Sequence, residues 1–149
     1  MNGKGIFADR GDAGRRLAAR LAGYAGRGDV VVLALPRGGV PVGYEVANAL
    51  GAPLDVLVVR KLGVPGHEEL AMGAVAGGGV RVLDEELVLA LRIPAAAVER
   101  AADRERAVVE RREREDRAGR PPPRVRGKLV IVVDDGIATG STVRAAVAA

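Results

Sequence analysis

Cysteine is absent from the 149 residues, which excludes disulfides, thiolate catalysis and any zinc site built on sulfur. The absence suits a reducing cytoplasm, and a cytoplasmic location is expected. A single histidine, His67, excludes a metal centre made of several imidazoles. Aromatic residues make up 2% of the chain: Phe7, Tyr24 and Tyr44, with no tryptophan. Any core must therefore be filled by Val, Leu, Ile and Ala, and single-stranded nucleic acid would find few rings for base stacking. Lysine is scarce as well, with Lys4, Lys61 and Lys128 standing beside 20 arginines. No apolar run is long enough to span a membrane. Met1 to Phe7 lacks the apolar stretch of a signal peptide.

What is present suits one globular α/β domain covering residues 1–149. Hydrophobic residues make up 48%. The net charge is +4 and the sequence pI about 10.1. This balance permits an anionic partner, since arginine grips phosphate with a bidentate fork; a compositional bias toward arginine explains it equally well. Asp9 and Asp12 predict the cap of a helix running to about Ala25, with Ala13, Leu17, Leu21 and Tyr24 on one stripe. Val30 to Leu35 is a continuous apolar run, the pattern of a strand buried on both faces. A helix over Val40 to Leu50 follows. A second buried strand is predicted over Pro53 to Val59, stopping at Arg60-Lys61. Glycines punctuate residues 62–82; Leu70–Ala76 and Val80–Leu83 predict a hairpin around Gly77-Gly78-Gly79, with the remainder a mobile loop. A helical stretch from Asp84 to Ala118 breaks near Pro94. Acids and bases nearly balance in its second half, and Glu110–Arg114 and Glu113–Arg117 have the favourable i, i+4 order. A solvated, salt-bridged helix is expected there, and a nucleic-acid surface is not. Lys128 to Val133 is the third buried strand. Strands alternating with helices predict a parallel sheet.

The third strand runs into Asp134-Asp135-Gly136-Ile137-Ala138-Thr139-Gly140-Ser141-Thr142. Two carboxylates emerge at a strand's carboxyl end, where open α/β sheets bind their ligands. Gly136 and Gly140 let the backbone approach a ligand closely. Amides from Ala138 to Thr142, at the start of a helix opening near Ser141, favour an anion, and Thr139, Ser141 and Thr142 add hydroxyls. Acceptors thus stand on one side and an anion cradle on the other, matching the hydroxyls and phosphate of ribose 5-phosphate. A nucleoside-triphosphate P-loop is excluded because no lysine follows Gly140, and no dinucleotide G-x-G-x-x-G follows any strand.

Val130 to Thr142 resembles the phosphoribosyl pyrophosphate (PRPP) motif of type I phosphoribosyltransferases, except that Gly136 stands where an aliphatic residue is commoner. The resemblance spans residues 9–149 and is nearest to predicted phosphoribosyltransferases of unassigned acceptor. It implies a Rossmann-like parallel sheet with a flexible loop or hairpin after the second strand. Asp134 and Asp135 would hold the ribose hydroxyls, steadying positive charge or taking a proton, and Ala138 to Thr142 would cradle the 5-phosphate. Arg37, Gly38 and Gly39, after the first strand, fall where the family places its pyrophosphate loop. Arg60 and Lys61 precede the family's mobile loop and would neutralise departing pyrophosphate; the alternative for them is a solvated strand end. His67 is expected to be a solvated loop residue.

The resemblance further implies Mg²⁺ bound mainly through PRPP, with no separate protein metal site. The expected reaction moves phosphoribosyl from PRPP to a small nitrogenous acceptor with release of pyrophosphate. The alternatives are a non-catalytic sensor of PRPP or a nucleotide on the same fold, and a fragment that binds phosphate only. The chain ends at Ala149, about two turns into the last expected helix, so the family's C-terminal hood is expected to be absent. An exposed sheet edge then favours pairing with a second copy as a homodimer.

Overall fold

The computed structural model describes residues 7–135. In chain order the elements are α1 (Arg10–Arg20), β1 (Val30–Ala34), α2 (Gly39–Leu50), β2 (Leu54–Val56), β3 (Val59–Val64), β4 (His67–Ala76), β5 (Val80–Leu83), α3 (Glu85–Ala90), α4 (Ala95–Arg117) and β6 (Leu129–Val133). They fall into two compact units, residues 7–56 with 121–135, and residues 57–120.

The first unit is built on a parallel sheet of order β2-β1-β6. The register sets Ala34 beside Val56 on one side and beside Val133 on the other, so β1 and β6 end level. All five residues of β1 are buried, as its continuous apolar run requires. In β2 and β6 only Val133 is fully buried, which corrects the expectation of strands buried on both faces. Each of these two pairs on one side only among the described residues. Asp9 caps α1 as expected, accepting from the Asp12 amide at 2.7 Å. The helix stops at Arg20, short of Ala25, and a 3-10 turn at Ala22–Tyr24 contains the poor helix former Gly23. Leu17 and Leu21 pack on the core of Val32, Val42, Val46 and Leu50, while Tyr24 is exposed. Gly14 lets α1 lie close on α2, since a Cβ there would stand 2.8 Å from the Val42 carbonyl oxygen.

The second unit is an antiparallel sheet of order β3-β4-β5 with α4 packed against it. The predicted hairpin forms: Ala76 pairs with Val80, and Gly78 and Gly79 take φ of +79° and +77°, which other residues rarely adopt. Two expectations are corrected. Pro53 to Val59 is not one strand: β2 ends at Val56, and Arg60 and Lys61 lie inside β3, opposite Val75 and Ala74. Most of residues 62–69 is strand, turning at Pro65-Gly66, so no long loop remains there. The physical reason is that β4 supplies hydrogen-bond partners along the whole of β3. Buried Leu62, Val64, Met72 and Val75 anchor that sheet on Val98, Ala102 and Val109 of α4. The helical break falls at Pro94, which starts α4 with φ −62°. Glu113–Arg117 forms at 3.1 Å, but it is largely buried against Gly77 rather than solvated.

Candidate functional site

The carboxyl ends of β1 and β6 are tied together. The Leu35 amide donates to the Val133 carbonyl at 2.9 Å, and the Gly39 amide donates to Leu35 O at 2.9 Å. The turn between β1 and α2 is thereby held beside the residues that follow β6. Its Pro36–Arg37 peptide is cis. Gly39 begins α2 so close to β6 that a Cβ there would sit 2.8 Å from Val133 O and 3.2 Å from Asp134 Cα. Gly38 is tighter still: an added Cβ would overlap the carboxylate of Asp135. Gly38 has ordinary helical angles, φ −61° and ψ −31°, so its glycine is needed for space and not for conformation.

Gly38-Gly39 and Asp134-Asp135, expected in one site from motifs about a hundred residues apart, are brought into contact by the fold. Arg37 is exposed in the same turn. Arg60 and Lys61 belong to the other unit: Arg60 is half-buried and bonds Glu105 at 2.8 Å, whereas Lys61 is exposed. Gly136, Ile137, Ala138, Thr139, Gly140, Ser141 and Thr142 lie outside the described residues. His67 is exposed at the start of β4, 3.6 Å from Glu69.

The two carboxylates differ. Asp134 is half-buried and accepts from the Asp135 amide at 2.8 Å. Burial is the main cause that pushes its carboxyl above the usual carboxylate range, with the neighbouring charge of Asp135 acting the same way. Asp135 is exposed, and Arg10 Nη2 donates to its Oδ2 at 3.0 Å. That hydrogen bond is the main cause that holds Asp135 below the usual range. Two adjacent carboxyls with affinities pushed apart can divide labour, one accepting a proton while the other stays ionised. Arg10 carries no sign of this role in the sequence: it stands 125 positions from Asp135 with no local motif to mark it.

Among the described residues, no group of three or more His, Asp or Glu is placed to hold a metal ion. No helix among them is long and apolar enough to cross a membrane.

A family model for the phosphoribosyl transferase domain matches residues 6–149. Two Mycobacterium tuberculosis proteins, from strains H37Rv and CDC 1551, bear the names "Putative phosphoribosyl transferase Rv0571c" and "Putative phosphoribosyl transferase MT0597". Each is 53% identical over 141 residues, covering 95% of this chain and 32% of its own length. The chain therefore spans about a third of these relatives. The crystal structure of TT1426 from Thermus thermophilus superposes with a TM-score of 0.77 at 45% identity, covering 95% of this chain and 67% of that one.

Proposed function

We propose, from the premise that this chain belongs to the phosphoribosyl transferase domain family, that it moves phosphoribosyl from PRPP to a small nitrogenous base and releases pyrophosphate. One observation carries the reading. The glycine turn after β1 meets the paired carboxylates after β6, at the end of a parallel sheet where ligands bind. A turn without side chains admits the backbone to a pyrophosphate, and the carboxylates offer acceptors to ribose hydroxyls.

Within this reading the two acids take different parts. Asp135, kept ionised, accepts from the ribose hydroxyls and opposes positive charge on the ribose as the bond to pyrophosphate breaks. Asp134, the stronger proton acceptor of the two, takes the proton that the acceptor nitrogen sheds. The residues from Gly136 to Thr142, as the 5-phosphate cradle, belong to the same proposal.

With no metal-holding group of acids among the described residues, the site suits a Mg²⁺ held mainly by PRPP oxygens, because this ion keeps much of its shell from water and substrate phosphates. Bound so, it would offset phosphate charge.

The test is calorimetric titration of PRPP with Mg²⁺ into the protein and into an Asp134→Asn/Asp135→Asn double variant, followed by pyrophosphate release over a panel of bases. Binding lost in the variant, with release for at least one base, is expected. A folded wild-type protein that ignores PRPP would refute the reading. Binding without release for any base would favour a sensor.

A further inference from the structure

We infer that Arg10 is a positioning residue for the ribose-binding carboxylate: from the first turn of α1 it clamps Asp135 in place, so that PRPP affinity depends on the N-terminal helix. This rests on the PRPP reading of the site.

Asp135 is bounded on two sides. Gly38 lies against its carboxylate with no room for a side chain, and Arg10 Nη2 bonds Oδ2 at 3.0 Å. Arg10 engages one oxygen, and an ionised carboxylate has about four lone-pair sites, so capacity for ribose hydroxyls remains. The helix that delivers Arg10 is itself well anchored. Asp9 caps it, Gly14 seats it on α2, and Leu17 and Leu21 pack on the core.

Arg10 also stands where helix physics disfavours it. It is the first residue of α1, at the positive end of the dipole, where acids stabilise and cations do not. Asp9 and Asp12 obey that rule, and Arg10 breaks it. A local rule broken at a candidate site points to a role in that site. Among the described residues, the groups acting on Asp135 are Arg10 from α1 and Asp134 beside it; the β1–α2 turn meets it through Gly38, which has no side chain, and Arg37 of that turn is exposed.

The experiment titrates PRPP with Mg²⁺ into wild type, R10Q, R10K, R15Q and D135N by calorimetry between pH 5 and pH 8.5. Arg15 joins α1 to Glu45 of α2 at 3.7 Å, so R15Q loosens the helix without touching Asp135. R10Q is expected to bind about five-fold more weakly at pH 8, the reach of one exposed ion pair. The gap should widen toward acid, because Asp135 without Arg10 takes its proton at higher pH. R10K should restore the wild-type pH profile and only part of the affinity, and R15Q should match wild type. R10Q binding as well as wild type, or more tightly, would overturn the inference and leave the PRPP reading standing. A loss in R15Q equal to that in R10Q would also overturn it, making the effect one of helix packing. Wild type binding no better than D135N would sink the PRPP reading and the inference with it.

Discussion

Two adjacent glycines should respond to alanine in opposite ways. Gly38 has helical angles, so alanine suits its backbone and reduces the freedom of the unfolded chain, a gain of about 0.4–1 kcal/mol. Its new methyl would overlap a carboxylate at the end of an exposed side chain, and that side chain can swing away. The swing forfeits the Arg10 pair, worth up to about 1 kcal/mol at the surface. G38A should therefore unfold within about 4 °C of wild type. PRPP affinity should nonetheless fall at least about ten-fold, since a displaced Asp135 loses charge-assisted hydrogen bonds of about 1.5–3 kcal/mol. At Gly39 the obstacles are the Val133 carbonyl and the Asp134 Cα, both main chain. Neither can give without shifting β6, and overpacking of this kind costs about 1–3 kcal/mol. G39A should lower the melting temperature by about 4–8 °C. Calorimetric melting with PRPP titration separates the two cases. Wild-type PRPP affinity in G38A would refute the steric argument, as would a G39A protein as stable as wild type.

Asp134 should trade stability for function. Its folded carboxyl holds a proton more readily than the unfolded one, so its ionised form costs stability above the ordinary Asp range. D134N should raise the melting temperature at pH 7–8 while weakening PRPP, and the gain should vanish as pH falls below about 4. Asp135 has the opposite sign: its contribution is present above the ordinary range and is lost as pH falls through its depressed folded value. D135N should lower the melting temperature at neutral pH and not in acid. In the other unit, R117A should destabilise by about 3 kcal/mol in urea, because Glu113 would be left largely buried without its partner. Its Oε1 already has no hydrogen-bond partner among the described residues. A loss under about 1 kcal/mol would mean that water reaches Glu113.

Local chemistry made much of the protein legible. The β-branched runs of β1 and β6, the cap at Asp9, the break at Pro94 and the triple-glycine hairpin all follow from preferences over a few residues. The paired acids after β6 announced a site for the same reason, as chemistry concentrated in consecutive positions. Three features were beyond such reading. The run from Pro53 to Val59 is almost uniformly apolar, so nothing local marks Val56 as the end of β2 or shows that β3 will find its partners in β4. Glu113–Arg117 has the spacing of a surface pair, yet in the fold both side chains are largely buried and the Glu113 carboxylate lies against Gly77, far from it in sequence.

The last feature is the site itself. Residue types alone determined that a parallel sheet would present two carboxylates and a glycine turn at strand ends. Tertiary structure decided that Gly38 would touch Asp135 and that Arg10 would reach the same carboxylate. Those contacts depend on the register of β1 with β6 and on how closely α1 lies upon α2. Both are set by long-range packing, for which no neighbouring residue carries a signal.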